Sequence, residues 1–197
     1  MSDPSRRQPS RPAPPTAFQQ ARRRKHPVKP SSGDDTDAAR LLRIYLGDHF
    51  AGSTGGENLA RRIARNHRGR VHGPALSAIA DEVAQDRRSL KRIMSDLGIA
   101  PPPAKAALAW ATERAGRLKP NGRLFGRSPL SSVIELETMR MGVEGKASCW
   151  RSLRAVADHD RRLSAQELDE LLDRAEAQSR CLEDTRTSIA AATFSRP

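Results

Sequence analysis

Aromatic residues make up only 4% of this 197-residue chain. That leaves few ring faces on which nucleic-acid bases could stack, and with β-branched residues also scarce there is almost no strand signal. Cysteine is nearly absent, and Cys149 and Cys181 fit neither a metal-ligand spacing nor a disulfide framework. Placed on the two arms of a hairpin turning near residue 162, they would differ in height by roughly 9 Å, too far for a bridge. No apolar run reaches the ~18 residues of a membrane-spanning helix. The N-terminal stretch is charged and Pro-rich where a signal peptide would be apolar, so a cytoplasmic protein is expected. Nucleotide and hydrolase motifs are missing too: there is no phosphate loop and no Gly-x-Ser-x-Gly. Gly52, Gly55 and Gly56 follow no strand and have the wrong spacing for a dinucleotide fingerprint. No catalytic residue is assigned.

What the chain does have is positive charge and helical periodicity. Thirty-five Lys and Arg stand against 23 Asp and Glu, a net charge of +12. Residues 1–35 contribute +5 of this and residues 36–197 the other +7. Such a balance favours anionic partners and says little about fold. Residues 1–35 also hold seven of the fourteen prolines and the run Arg22, Arg23, Arg24, Lys25. They carry too little apolar surface to fold, so a disordered basic tail is expected before a helical domain over 36–197.

Four long amphipathic segments come next. The first covers about 37–68, with Leu42, Tyr45, His49, Gly52, Gly56, Leu59 and Ile63 as the inward stripe. The capping-box pattern Thr54-Gly55-Gly56-Glu57 leaves open whether it breaks near 52–56. The second, 74–98, opens at Pro74 and closes at Gly98. The third, 129–158, begins behind Ser128-Pro129 and carries Leu130, Val133, Ile134, Met141, Ala147 and Trp150. The last, 165–193, is capped by Ser164 and carries Leu168, Leu171, Leu172, Ala175, Leu182 and Ile189. Between the second and third lies a short Ala-rich helix, Ala104 to Lys119, that could span roughly 24 Å.

Hairpin, long crossover, hairpin is a four-helix-bundle topology, and over residues 37–193 the chain resembles the ferritin-like superfamily in helix lengths and connectivity. The resemblance implies an all-α bundle. Ferritin-like dinuclear sites take Glu-x-x-His from two helices, whereas the corresponding positions here read Glu82-x-x-Gln85 and Glu176-x-x-Ser179. A dinuclear centre is therefore not expected.

Other polar residues fall on the inward side of a helical wheel: His49, Asp86, Glu137, Glu144, and Gln178 or Ser179. His49, Asp86 and Glu144 lie at comparable heights and could hold one divalent metal with an open position, the basis of a mononuclear oxidoreductase. The same groups have a plainer reading. Arg140 and Arg151 share a face with Glu137 and Glu144, Arg87 is next to Asp86, and a salt-bridged layer that fixes helix register needs no cofactor. This second reading is favoured, with no cofactor expected.

On the outside, the topology would gather Arg61, Arg62, Arg65, Arg68 and Arg70 with Arg117, Lys119, Arg123 and Arg127 at one pole. No acidic residue occurs between Glu113 and Glu135, while the last helix is rich in Glu and Asp. The molecule should be electrostatically two-sided. Its basic pole could contact nucleic-acid phosphates without reading sequence, or pack against an acidic protein or a second copy of the chain. A non-enzymatic structural or interaction role is the expectation, with nucleic-acid binding and metal chemistry as alternatives.

Overall fold

A computed structural model describes residues 32–102 and 129–195. The chain divides into two units, residues 1–38 and 39–197, and the helical core lies in the second. Among the described residues there are four helices: α1 (Ser32–Asn66), α2 (Gly73–Asp96), α3 (Pro129–Ala157) and α4 (Ala165–Phe194). No strand occurs among the described residues. The expected tail up to residue 31 and the expected helix Ala104 to Lys119 lie outside them, as do Arg117, Lys119, Arg123 and Arg127.

The helices start and stop where local chemistry directs. Pro74 stands in the first turn of α2, where its missing N–H is no loss. Gly98 ends α2 at φ +71°, a left-handed conformation that glycine adopts without strain. Ser164 caps α4, its hydroxyl accepting from the Glu167 N–H at 3.3 Å. α1 is unbroken through Gly52–Gly56 and opens at Ser32, earlier than the expected Asp37. Between α1 and α2 the turn is so tight that a Cβ on Gly73 would stand 2.6 Å from the carbonyl oxygen of His67.

One apolar core joins all four helices, with Leu46, Phe50 and Ile63 from α1, Leu76, Ile79 and Met94 from α2, Leu136, Val143, Trp150 and Leu153 from α3, and Leu168, Leu171 and Leu182 from α4. Each such side chain contributes about 1.5–3 kcal/mol relative to exposure. Two expected faces are corrected. In α1 the most buried residues are Leu46, Phe50, Ala51, Ala60 and Ile63; of the expected stripe Ile63 is buried and Leu42, Tyr45 and Leu59 pack against the core, but the face is turned toward Leu46 and Phe50, leaving His49, Gly52 and Gly56 only half-buried. In α3 Leu130, Ile134 and Met141 face outward, while Leu136, Met139, Val143 and Leu153 occupy the interior beside Val133, Ala147 and Trp150.

Cross-helix contacts fix the directions. Tyr45 Oη meets Ser152 Oγ at 3.1 Å and Asn66 donates to Glu135 at 3.4 Å, so α1 and α3 are antiparallel. His72 meets Ser188 at 3.3 Å and Arg92 pairs with Glu167, so α2 and α4 are antiparallel. Arg140 lies 3.6 Å from Glu183 and Arg154 donates to Asp169 at 2.9 Å, which makes α3 and α4 antiparallel as well. α2 and α3 therefore run the same way, with the end of α2 and the start of α3 at opposite poles. Arg162, in the α3–α4 turn, donates to the Leu97 carbonyl at 3.3 Å and ties that turn to the end of α2.

Candidate functional site: a buried charge layer

Halfway along the bundle, α2, α3 and α4 bring five polar side chains together. Asp86 sits on the inward line of α2 between Val83 and Leu90, and Gln178 on that of α4 between Ala175 and Leu182; both are almost fully buried. Lys146 reaches in from α3, one residue before the buried Ala147. Its ammonium donates to Asp86 Oδ2 and to Gln178 Oε1. Arg174 Nη1 donates to the other carboxylate oxygen, Oδ1, at 3.0 Å. Gln178 Nε2 donates to Glu82 Oε2 at 2.9 Å and to Asp86 Oδ2 at 3.2 Å. Two carboxylates thus face two cations through one amide.

Asp86 has a side chain 2% exposed against 17% for Lys146 and 31% for Arg174, so the carboxylate is the innermost charge. Burial lowers the Lys146 pKa, since water no longer stabilises the ammonium; Asp86 and Glu82 pull it back up, and Arg174 adds to the lowering. Both oxygens of Asp86 accept from cations. That is the bonding of a structural anion whose desolvation is offset by close partners.

The expected site residues separate in this arrangement. Asp86 is inside the layer; Glu144 is exposed and accepts from Ser179 Oγ at 2.7 Å. His49 lies edge-on to Tyr45, ring centroids 4.6 Å apart. Among the described residues no three His, Cys, Asp or Glu side chains form a group that could hold a metal ion. The expected ion partners are also redrawn. Arg87 lies 4.8 Å over the Phe50 ring and 3.6 Å from Glu57 rather than on Asp86, and Arg140 pairs with Glu183. Glu137, expected inward, is exposed, whereas Gln178 and Ser179 are buried as their wheel positions suggest.

Lys146 and Arg174 were missed because a long cation on an amphipathic helix is ordinarily assigned to the wet face. Such a residue can lay its stem along apolar surface and turn its head inward, and here both heads reach the carboxylate. The available signal was positional: Lys146 stands three after Val143 and four before Trp150, and Arg174 three after Leu171 and four before Gln178.

Cys149 is buried, and burial pushes its thiol up to about 12, so it is an inert packed side chain at neutral pH; Cys181 is half-buried and also free. At the α1–α2 end, Arg61 pairs with Glu57 at 2.6 Å and Arg62 with Glu135 at 3.1 Å. Arg65, Arg68 and Arg70 are exposed there. Residues 36–102 carry eleven basic and seven acidic groups and residues 129–195 nine and twelve, so the four-helix body is close to neutral. Most of the chain's +12 therefore resides in residues 1–35 and 103–128. No described helix is long and apolar enough to cross a membrane.

No family model, curated protein or solved structure matches the chain.

Proposed function

We propose that this chain is a non-enzymatic helical bundle of ferritin-like topology whose role is structural or interactive. The topology reading is supported by the helix directions: two antiparallel hairpins placed so that α2 and α3 run parallel suit a bundle with one long crossover. The functional reading is carried by one observation, the engagement of both Asp86 oxygens by neighbouring donors. Its two oxygens accept from Lys146, Arg174 and Gln178. An inward carboxylate held this way on both oxygens serves as a register lock. Elemental analysis of untagged protein tests this, and no stoichiometric metal is expected. About one divalent ion per chain, lost on Glu144→Ala, would overturn the reading in favour of a mononuclear centre using His49, Asp86 and Glu144.

A second reading is favoured by the exposure of Arg65, Arg68 and Arg70, three guanidiniums within two turns of chain, none of them in an ion pair with a described residue. Together with the basic segments 1–35 and 103–128 they would suit the phosphates of nucleic acid, giving steep salt dependence without sequence preference. Charge reversal at Arg65, Arg68 and Arg123 together should then weaken binding to a mixed-sequence duplex at low salt. Unchanged affinity refutes it.

A further inference from the structure

We propose that the outward face of α3 docks antiparallel against the same face of a second copy of this chain. On the side opposite its buried line, α3 exposes Ile134 (49%) and Met141 (55%), two turns apart. Carried on at the same seven-residue spacing, that lane continues with exposed Ser148 and Ala155, and Gly145 lies beside it. A Cβ added at Gly145 would meet nothing within 4 Å, so there is open space beside the lane at that point, while further on Ser152 meets Tyr45 of α1 at the lane's flank. The lane is therefore bulky and apolar in its first half and small in its second.

Such a pattern fits itself. A twofold axis near Gly145 sets Met141 against the partner's Ser148 and Ile134 against the partner's Ala155, so each large residue meets a small one twice over by symmetry. The same axis brings exposed Glu137, which already feels Arg186 of its own α4, toward exposed Arg151 of the other copy, because in an antiparallel pair each flank of a helix faces its own equivalent. Glu144, close to the axis, is held by Ser179 on α4 and so is drawn away from its own equivalent. Size and charge are thus both complementary under one operation, which singles out a second copy from other occupants of an exposed apolar strip. A single helix pair is a small contact compared with a standard interface of about 1,600 Å², so the dimer should be concentration-dependent.

This deepens the interaction reading and rests on it, yet the two fail separately: metal in the purified protein would overturn the former without changing sedimentation. The test is sedimentation equilibrium of the full chain over a rising concentration series at low salt. The mass should climb from one chain to two. Ile134→Glu should hold it at one chain at every concentration, with the far-UV spectrum unchanged because the position is exposed. Glu137→Arg and Arg151→Glu should each weaken association roughly tenfold, since each alters two symmetric contacts, and the double reversal should restore it. A mass of one chain throughout would overturn the proposal. So would a dimer indifferent to Ile134→Glu and to the charge reversals, which would place the contact elsewhere.

Discussion

Replacing Asp86 with Asn keeps the side chain's volume and removes its charge, leaving the Lys146 ammonium and the Arg174 guanidinium without their innermost anion. Breaking a fully buried ion pair from one side costs about 3–5 kcal/mol. Here the figure is smaller. Arg174 is 31% exposed and regains water, and Lys146 keeps the Gln178 carbonyl as an acceptor, with Glu82 nearby. A loss of about 2–3 kcal/mol is expected, or a fall in melting temperature of roughly 5–10 °C for a chain of this size.

The loss should also depend on pH, and its sign is set by Lys146. Burial sets the Lys146 pKa below its ordinary value even with Asp86 present, and Asp86 is the leading influence that raises it. Asn at 86 therefore lowers it further. Between that lowered pKa and 10.5 the unfolded chain binds the proton and the folded chain does not, so stability rises with pH across this window. The penalty of Asp86→Asn should be greatest where Lys146 is charged in the folded variant and shrink as the pH rises toward 10.5 and the amine discharges. Urea unfolding followed by far-UV circular dichroism at a series of pH values measures both quantities. Adding Lys146→Met to the variant should recover part of the stability and abolish the pH slope. A loss under about 0.5 kcal/mol, or one that is flat with pH, would refute the view of Asp86 as the anchor of this layer.

Three further substitutions probe features away from the layer. Gly73→Ala should destabilise by about 2 kcal/mol or more in thermal melts, because the new methyl lies 2.6 Å from the backbone oxygen of His67 and neither main chain can move cheaply. Ser164→Ala removes the hydroxyl that accepts from Glu167 N–H and should cost about 1 kcal/mol, with the loss read by urea titration. Trp150 Nε1 is buried with no acceptor among the described residues, so Trp150→Phe forfeits packing but sheds an unsatisfied donor; it should cost far less than Trp150→Leu in the same titration.

The ends of α2 and α4 could be read from the sequence because each is set by a single residue's chemistry, Pro74 and Gly98 for one and Ser164 for the other. Faces were harder to read. In α1, Gly47, Gly52, Gly55 and Gly56 carry no side-chain polarity, so the wheel is poorly anchored, and turning it by one residue replaces the pair Tyr45 and His49 with Leu46 and Phe50. In α3 the rule that apolar residues face in assigned Ile134 and Met141 to the core, although an apolar residue is free to lie outside. The expected salt-bridged layer does have a counterpart around Asp86, but with different partners. Arg87 is Asp86's neighbour in the chain, yet on a helix adjacent residues diverge by about 100°, whereas Arg174, 88 positions away, lies across an antiparallel contact. Long-range pairing of that kind has no local signature.

The distribution of charge separates what holds the bundle together from what it can meet. Inside, Glu82, Asp86, Lys146 and Arg174 cancel, a balance that permits burial but adds no attraction at a distance. Outside, the four-helix body is almost neutral, and the surplus of cations lies in residues 1–35 and 103–128. If the chain meets an anionic partner as the second reading proposes, long-range steering would reside in those segments and in Arg65, Arg68 and Arg70, where added salt should act most strongly. The lane along α3 is different in kind, since its contacts are mainly apolar and salt should weaken them little beyond the Glu137–Arg151 edge. An assembly through α3 that persists in salt, with anion binding that does not, would show the two surfaces acting independently.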